Sequence, residues 1–89
     1  VLPGAAVQTD ADISNVVENA GGTVFHPVGT CRMGNDEKAV VDAKLRLRGI
    51  ENLRVIDASI MPKITSANTN AASLMIGEKG AHMLLNEST

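Results

Sequence analysis

Residues 68–85 read NTNAASLMIGEKGAHMLL, and this stretch decides the fold of the last part of the chain. It opens with three residue types that cap helix N-termini, Asn68, Thr69 and Asn70. The apolar residues that follow predict a helix from about Ala71 to Leu85. Gly77 and Gly80 each cost this helix about 1 kcal/mol relative to Ala, so their presence indicates close packing against another backbone.

A shorter helix is predicted near the start of the chain. Thr9 and Asp10 are N-cap types, and four apolar residues then recur at helical spacing, namely Ile13, Val16, Val17 and Ala20. The pair Gly21-Gly22 provides the C-terminal stop. The helix is amphipathic and only about 10 residues long, so it needs another surface to pack on.

Alternating apolar and polar residues between the two helices predict short strands. Thr23 to Phe25 is a β-rich triplet, and a strand begins at Val40 and continues through Leu45 and Leu47. After a turn at residues 49–52, a second strand runs from Leu53 to Asp57. We therefore expect an α/β (α+β) fragment with a small β hairpin between a short helix and a C-terminal helix.

Length and composition indicate one small, incomplete unit. The 89 residues are 44% hydrophobic, which excludes a disordered chain, but they include one Phe and no Tyr or Trp. Aromatic side chains usually contribute much of a small core, so this core is expected to be weak. The chain also lacks an initiator Met, and we expect residues 1–89 to be a piece of a longer protein.

Charge and cysteine content exclude several classes of function. The formal net charge is −2 at pH 7, which argues against nucleic-acid binding through a basic face. The single cysteine, Cys31, excludes an internal disulfide and a Cys-rich zinc site, and we interpret it as a packing residue. Acidic residues show no calcium-loop spacing, and no apolar run approaches the ~20 residues that span a bilayer. We therefore expect no metal site and no transmembrane segment.

His26 is the first candidate for chemistry. It follows a predicted strand and precedes Pro27, which favours an extended backbone at His26. Imidazole is well suited to proton abstraction near neutral pH. The alternative is a hydrogen-bonded structural histidine, and the residues alone do not decide between the two. His82, in the last helix, is a weaker candidate.

Two further segments are candidate binding sites. The amides that follow Asn68 at the start of the last helix point outward unpaired and carry partial positive charge, so this end can hold a group that becomes anionic. Asp57 and Ala58 follow a strand, where ligands often bind in α/β sheets. The glycine-rich nucleotide-binding fingerprints are absent.

Four segments in a fixed order carry a resemblance to a known family. They are residues 25–34 (FHPVGTCRMG), 40–42 with 45–50 (VVD and LRLRGI), 53–62 (LRVIDASIMP) and 68–79 (NTNAASLMIGEK). Together they resemble the C-terminal part of the glucose–methanol–choline (GMC) family of FAD-dependent oxidoreductases. The resemblance runs from about Thr9 to Leu85, and it is closer to the choline dehydrogenase and alcohol dehydrogenase branches than to glucose oxidase.

The resemblance implies a role for each candidate residue. His26 aligns with the catalytic histidine that takes the proton of the substrate hydroxyl, and Asn68 aligns with its partner position. Four residues fall where the family contacts FAD, namely Asp57, Ala58, Thr69 and Asn70. The implied reaction oxidises an alcohol to an aldehyde, with hydride transfer to flavin N5.

The resemblance also implies that most of the enzyme lies outside this chain. The Rossmann-like unit that binds the ADP half of FAD is absent, as is most of the substrate domain. Residues 1–89 are then the C-terminal portion of a larger fold, inactive and not stably folded alone, with the remainder of the polypeptide and a small alcohol as partners. Any targeting signal would lie upstream. Two alternatives stay open: a non-catalytic docking module, and a degenerate relic that binds flavin without turnover.

Overall fold

The computed structural model describes residues 2–87 of the chain. Helix α1 spans Asp10–Ala20 and helix α2 spans Asn70–Glu87, with a single turn of 3-10 helix at Ala58–Ile60 between them. Both predicted helices are confirmed. Helix α2 is slightly longer at each end than the pattern of apolar residues indicated.

Helix α1 begins at the predicted cap. The Asp12 amide donates to Thr9 Oγ1 at 3.1 Å, and the Thr9 amide donates to Asp12 Oδ2 at 3.0 Å, so the two residues form a capping box. The amides of Thr9 and Gln8 that donate to the Asp12 carboxylate hold its pKa below the ordinary value. No residue of α1 is buried, and in the part of the chain that the structure describes α1 packs on neither of the other helical elements.

The predicted β hairpin is wrong. Residues 2–87 contain no strand or sheet, and therefore do not form the expected α/β fragment. What remains of the expected pairing is a set of three isolated bridges, Met33 with Val41, Val41 with Leu47, and Arg46 with Arg54.

Backbone conformation explains why no ladder forms. Strands need negative φ throughout, but within the predicted strand segments φ is +63° at Phe25 and +63° at Leu45. Asp42 adds a second reason, because its Oδ1 accepts the amides of Lys44 at 2.8 Å and Arg46 at 3.0 Å. These amides are donors that a neighbouring strand would have used, so the local turn replaces the ladder.

A small core lies between α2 and the irregular middle of the chain. Its buried members are Val41, Leu45, Ile60, Met61 and Ile76. Backbone bonds join two of the loops beneath it: the Cys31 amide donates to the Ser59 carbonyl at 3.0 Å, and the Met33 amide donates to the Ile60 carbonyl at 2.9 Å. The 3-10 helix packs directly on α2.

An ion cluster fixes the C-terminal end of α2 to the middle of the chain. Glu87 Oε1 lies 3.0 Å from Lys44 Nζ, and Glu87 Oε2 pairs with the guanidinium of Arg54. Hydrogen bonds from Lys44 and Arg54 hold the pKa of the Glu87 carboxyl below its ordinary value. Sequence patterns did not indicate this cluster.

The described chain is elongated. Its radius of gyration is 18.6 Å and its principal extents are 63 × 28 × 16 Å, whereas a compact domain of this length has a radius of gyration of about 12 Å. Large apolar side chains lie exposed along it, among them Phe25 (82% exposed), Leu74 (68%) and Val17 (64%). The segment thus has apolar surface that it does not bury against itself.

The two glycines of α2 have different surroundings. Gly80 is buried, and a Cβ built there would overlap Cγ2 of Ile56 and lie 3.0 Å from its Cδ1. A Cβ at Gly77 would meet no described atom within 4 Å. Gly80 therefore packs against a side chain of this chain, rather than against another backbone as the sequence suggested.

This difference gives a matched pair of variants. Gly80→Ala and Gly77→Ala gain the same helix propensity, but only Gly80→Ala forces an overlap with Ile56. We expect Gly80→Ala to be less stable than Gly77→Ala by about 1–3 kcal/mol. Thermal unfolding of the two variants in the full-length protein measures the difference, and equal midpoints would contradict the packing described for Gly80.

Candidate functional site

His26 lies in an irregular segment held in place by its neighbours in the chain. Pro27 restricts His26 to an extended backbone, and Phe25 before it has a left-handed φ of +63°. Gly29 has a φ of +88°, which glycine adopts without strain. The side chain of His26 is half-buried.

The imidazole of His26 meets the hydroxyl of Thr69. Nδ1 of His26 and Oγ1 of Thr69 lie 2.9 Å apart, although the two residues are 43 positions apart in the chain. Thr69 is 8% exposed and is the one polar residue that is buried within the described part of the chain. The structure therefore brings together two of the residues that the sequence singled out.

Thr69 is fixed by the start of α2. Its carbonyl accepts the Ser73 amide at 2.9 Å and the Ser73 hydroxyl at 2.8 Å. The bond from the Ser73 amide closes the first turn of α2. The bond from the Ser73 hydroxyl is a side-chain bond that further restrains the Thr69 backbone.

Asn68 and Asn70 flank Thr69 and are exposed. Across residues 2–87, no hydrogen bond joins either side chain to His26. The role of Asn68 as the partner of His26, and the contact of Asn70 with a flavin, stay predictions.

Asp57 caps the 3-10 helix. Its Oδ1 accepts the Ser59 hydroxyl and also the Ser59 amide at 2.7 Å, and these two bonds hold the pKa of Asp57 below the ordinary value. Ala58 is half-buried and packs against the core. Because the Ser59 carbonyl binds the Cys31 amide, the segment at Asp57 and Ala58 is tied to the segment that carries His26.

The remaining candidates are not part of this arrangement. His82 lies exposed on α2, where its carbonyl accepts a bond from Asn86 Nδ2 at 2.7 Å. Cys31 is a half-buried free thiol.

The described residues hold no group of His, Cys, Asp and Glu side chains that could bind a metal ion. In the same part of the chain, neither helix is long and apolar enough to cross a bilayer.

The donor groups beside His26 suit a group that carries hydrogen-bond acceptors or becomes negatively charged. The first amides of α2 have no acceptor within the helix and carry partial positive charge. They follow Thr69 directly, and the flanking side chains of Asn68 and Asn70 are exposed. Hydrogen-bond donors at a positive helix end, next to an imidazole, fit the oxygen- and nitrogen-bearing edge of a flavin, the group that the sequence resemblance implies.

The bond between His26 and Thr69 was missed by sequence reasoning. The sequence indicates a helix cap at Thr69 and, through the family resemblance, a flavin contact, but it does not pair the Thr69 hydroxyl with the histidine. No local signal could have identified the pair, because it depends on how a loop before residue 30 packs on the start of α2.

Comparison with known proteins places the chain among oxidoreductases. Residues 1–77 match the family described as GMC oxidoreductase. The chain is 55% identical over 84 residues to oxygen-dependent choline dehydrogenase of Escherichia coli O45:K1 (strain S88 / ExPEC), a match that covers 94% of this chain and 15% of that protein. Its counterpart in E. coli strain SMS-3-5 / SECEC is 52% identical over 84 residues, with the same 94% and 15% coverage.

A solved structure shows the same likeness. Pyridoxine 4-oxidase from Mesorbium loti superposes with a TM-score of 0.77 at 42% identity, over 100% of this chain and 17% of that one. The chain spans about 15% of the length of the curated choline dehydrogenase relatives that it matches.

Proposed function

The chain belongs to the GMC oxidoreductase family, and we propose from this premise that it is the C-terminal catalytic segment of a longer FAD-dependent enzyme. The enzyme oxidises the CH–OH group of a small alcohol to an aldehyde. The observation that carries the proposal is the half-buried His26, held by Thr69 at the N-terminus of α2. A histidine fixed beside a positive helix end can move a proton next to a group that becomes negatively charged.

His26 acts as the general base. The ring nitrogen that does not face Thr69, Nε2, takes the proton of the substrate hydroxyl as the α-carbon loses a hydride. FAD, when bound, supplies the acceptor of that hydride at N5. The alcohol thereby loses one proton and one hydride and becomes an aldehyde.

The residues around His26 bind and orient. Asn68 hydrogen-bonds the substrate oxygen, and the amides that begin at Thr69 and Asn70 would hold the flavin and stabilise negative charge on it. Asp57 and Ala58, at the 3-10 helix, would help to hold the cofactor. The exposed amide of Asn68 and the unpaired amides at the start of α2 support these roles.

The remainder of the polypeptide covers the apolar surface of this segment. The elongated shape, the unburied apolar stripe of α1 and the exposed Phe25 support a segment that packs on a larger body. This chain matches only 15% of the length of the choline dehydrogenase relative, so the larger body would make up most of such an enzyme.

The test is the absorbance of the flavin in the full-length protein without oxygen. We expect a panel of primary alcohols to include one that bleaches the flavin. A full-length protein that holds no flavin, or whose flavin no alcohol in the panel reduces, would favour the docking module or the relic.

A substitution at Asn68 separates chemistry from cofactor binding. We expect Asn68→Ala to slow flavin reduction by about 10-fold or more while the protein keeps its FAD, because the amide binds the substrate oxygen. Rapid-mixing measurement of the reduction rate, together with the flavin-to-protein ratio, gives both quantities. Loss of FAD with a normal rate in the remaining holoenzyme would make Asn68 a structural residue.

A further inference from the structure

We propose that Thr69 is a positioning residue that fixes the tautomer and the orientation of the His26 ring, an inference that rests on the proposed function. A neutral imidazole carries one proton, and only its other nitrogen can accept a proton. For Nε2 of His26 to accept the substrate proton, Nδ1 must carry the ring proton. The hydrogen bond of 2.9 Å is then donated by His26 Nδ1 to Thr69 Oγ1.

Thr69 is suited to this task because it is itself immobile. It is 8% exposed, and its carbonyl is held by both the amide and the hydroxyl of Ser73. Its β-branched side chain has restricted rotation about χ1. The hydroxyl oxygen has two lone pairs and can accept from Nδ1 while its own hydrogen points elsewhere.

No other side chain in the described part of the chain bonds the His26 ring. Removal of the Thr69 hydroxyl would leave Nδ1 without this acceptor. Both tautomers and other ring rotations would then be populated, and the fraction with a free Nε2 aimed at the substrate would fall. The loss would appear in the chemical step rather than in substrate binding.

Two substitutions distinguish this role from packing. Thr69→Val keeps the shape of the side chain and removes the hydroxyl, whereas Thr69→Ser keeps the hydroxyl and removes the methyl. In the full-length holoenzyme, we expect Thr69→Val to lower the limiting rate of flavin reduction about 10- to 100-fold. Thr69→Ser should stay within about threefold of the unsubstituted protein, since the acceptor oxygen is retained. The reverse order, with Thr69→Ser the more damaging, would overturn the proposal in favour of packing.

The Thr69→Val substitution in a His26→Ala background tests whether Thr69 acts through His26. If it does, Thr69→Val costs no more than about twofold once the imidazole is gone. A loss that persists in that background overturns the positioning role. If His26→Ala alone changes the rate by less than about tenfold, the proposed function itself fails. If His26→Ala greatly lowers the rate of flavin reduction and Thr69→Val leaves it unchanged, only the proposed role of Thr69 fails.

A measurement independent of activity is the nitrogen NMR spectrum of the histidine rings. In full-length protein labelled with ¹⁵N-histidine, the signals of His26 are those absent from the His26→Ala variant. We expect a protonated Nδ1 and an unprotonated Nε2 in the unsubstituted protein, and a mixture of tautomers in Thr69→Val. A protonated Nε2 in the neutral ring of the unsubstituted protein would overturn the proposal.

Discussion

Replacing His26 with alanine in the full-length protein is expected to lower the limiting rate of flavin reduction by an alcohol about 10²–10⁴-fold, the usual contribution of general-base catalysis. The reason is local, because within residues 2–87 the imidazole is the side chain held at the start of α2 that can act as a general base. FAD should stay bound, since His26 contributes a proton acceptor and the binding amides belong to α2. Rapid mixing of the oxidised holoenzyme with alcohol, without oxygen, measures the rate.

The second histidine of this chain provides a matched control. His82 lies exposed on α2, and its hydrogen bonds are to Asn86, one turn further along the same helix. Because the substitution lies on an exposed helix face, we expect His82→Ala to leave the reduction rate within about twofold. Equal losses in the two variants would show that removal of any imidazole is damaging, and would contradict a specific role for His26.

The isolated chain of 89 residues is expected not to fold cooperatively. Its buried apolar residues are few, and its radius of gyration of 18.6 Å exceeds the value of about 12 Å for a compact domain of this length. Helix α1 buries no residue, so only local hydrogen bonds, such as those of its capping box, stabilise it in isolation. Heteronuclear NMR should show narrow amide dispersion, with no cooperative melting transition.

The control is the same segment within the full-length protein. There we expect cooperative unfolding, since the remainder of the polypeptide covers the exposed apolar residues such as Phe25 and Val17. A well-dispersed spectrum of the isolated chain with a cooperative transition would contradict this expectation. It would also show that residues 1–89 are an independent domain.

The helices could be predicted from the sequence because helix caps and helical spacing depend on residues only a few positions apart. Thr9 and Asp12 form a capping box whose partners are three positions apart, and Asn70 begins α2 within a run of cap residues. The middle of the chain was predicted wrongly. The alternation of Leu45 and Leu47 with Arg46 and Arg48 is typical of a strand, but the pattern does not report φ.

The candidate site was predicted in its parts and not in its geometry. His26 and Thr69 were both singled out, yet their hydrogen bond joins residues 43 positions apart. The ion pairs of Glu87 with Lys44 and Arg54 depend in the same way on packing between distant segments. Contacts of this kind arise from tertiary structure, which the spacing of residues in the sequence does not encode.

The central claim is that His26 supplies the base of an alcohol oxidation and does not itself bind the flavin. The most direct test is the anaerobic reduction rate of the FAD-loaded His26→Ala protein by the alcohol that reduces the unsubstituted enzyme. We expect a flavin content like that of the unsubstituted protein and a rate lower by at least about 100-fold. A rate within about tenfold of the unsubstituted value, with FAD retained, would contradict the claim.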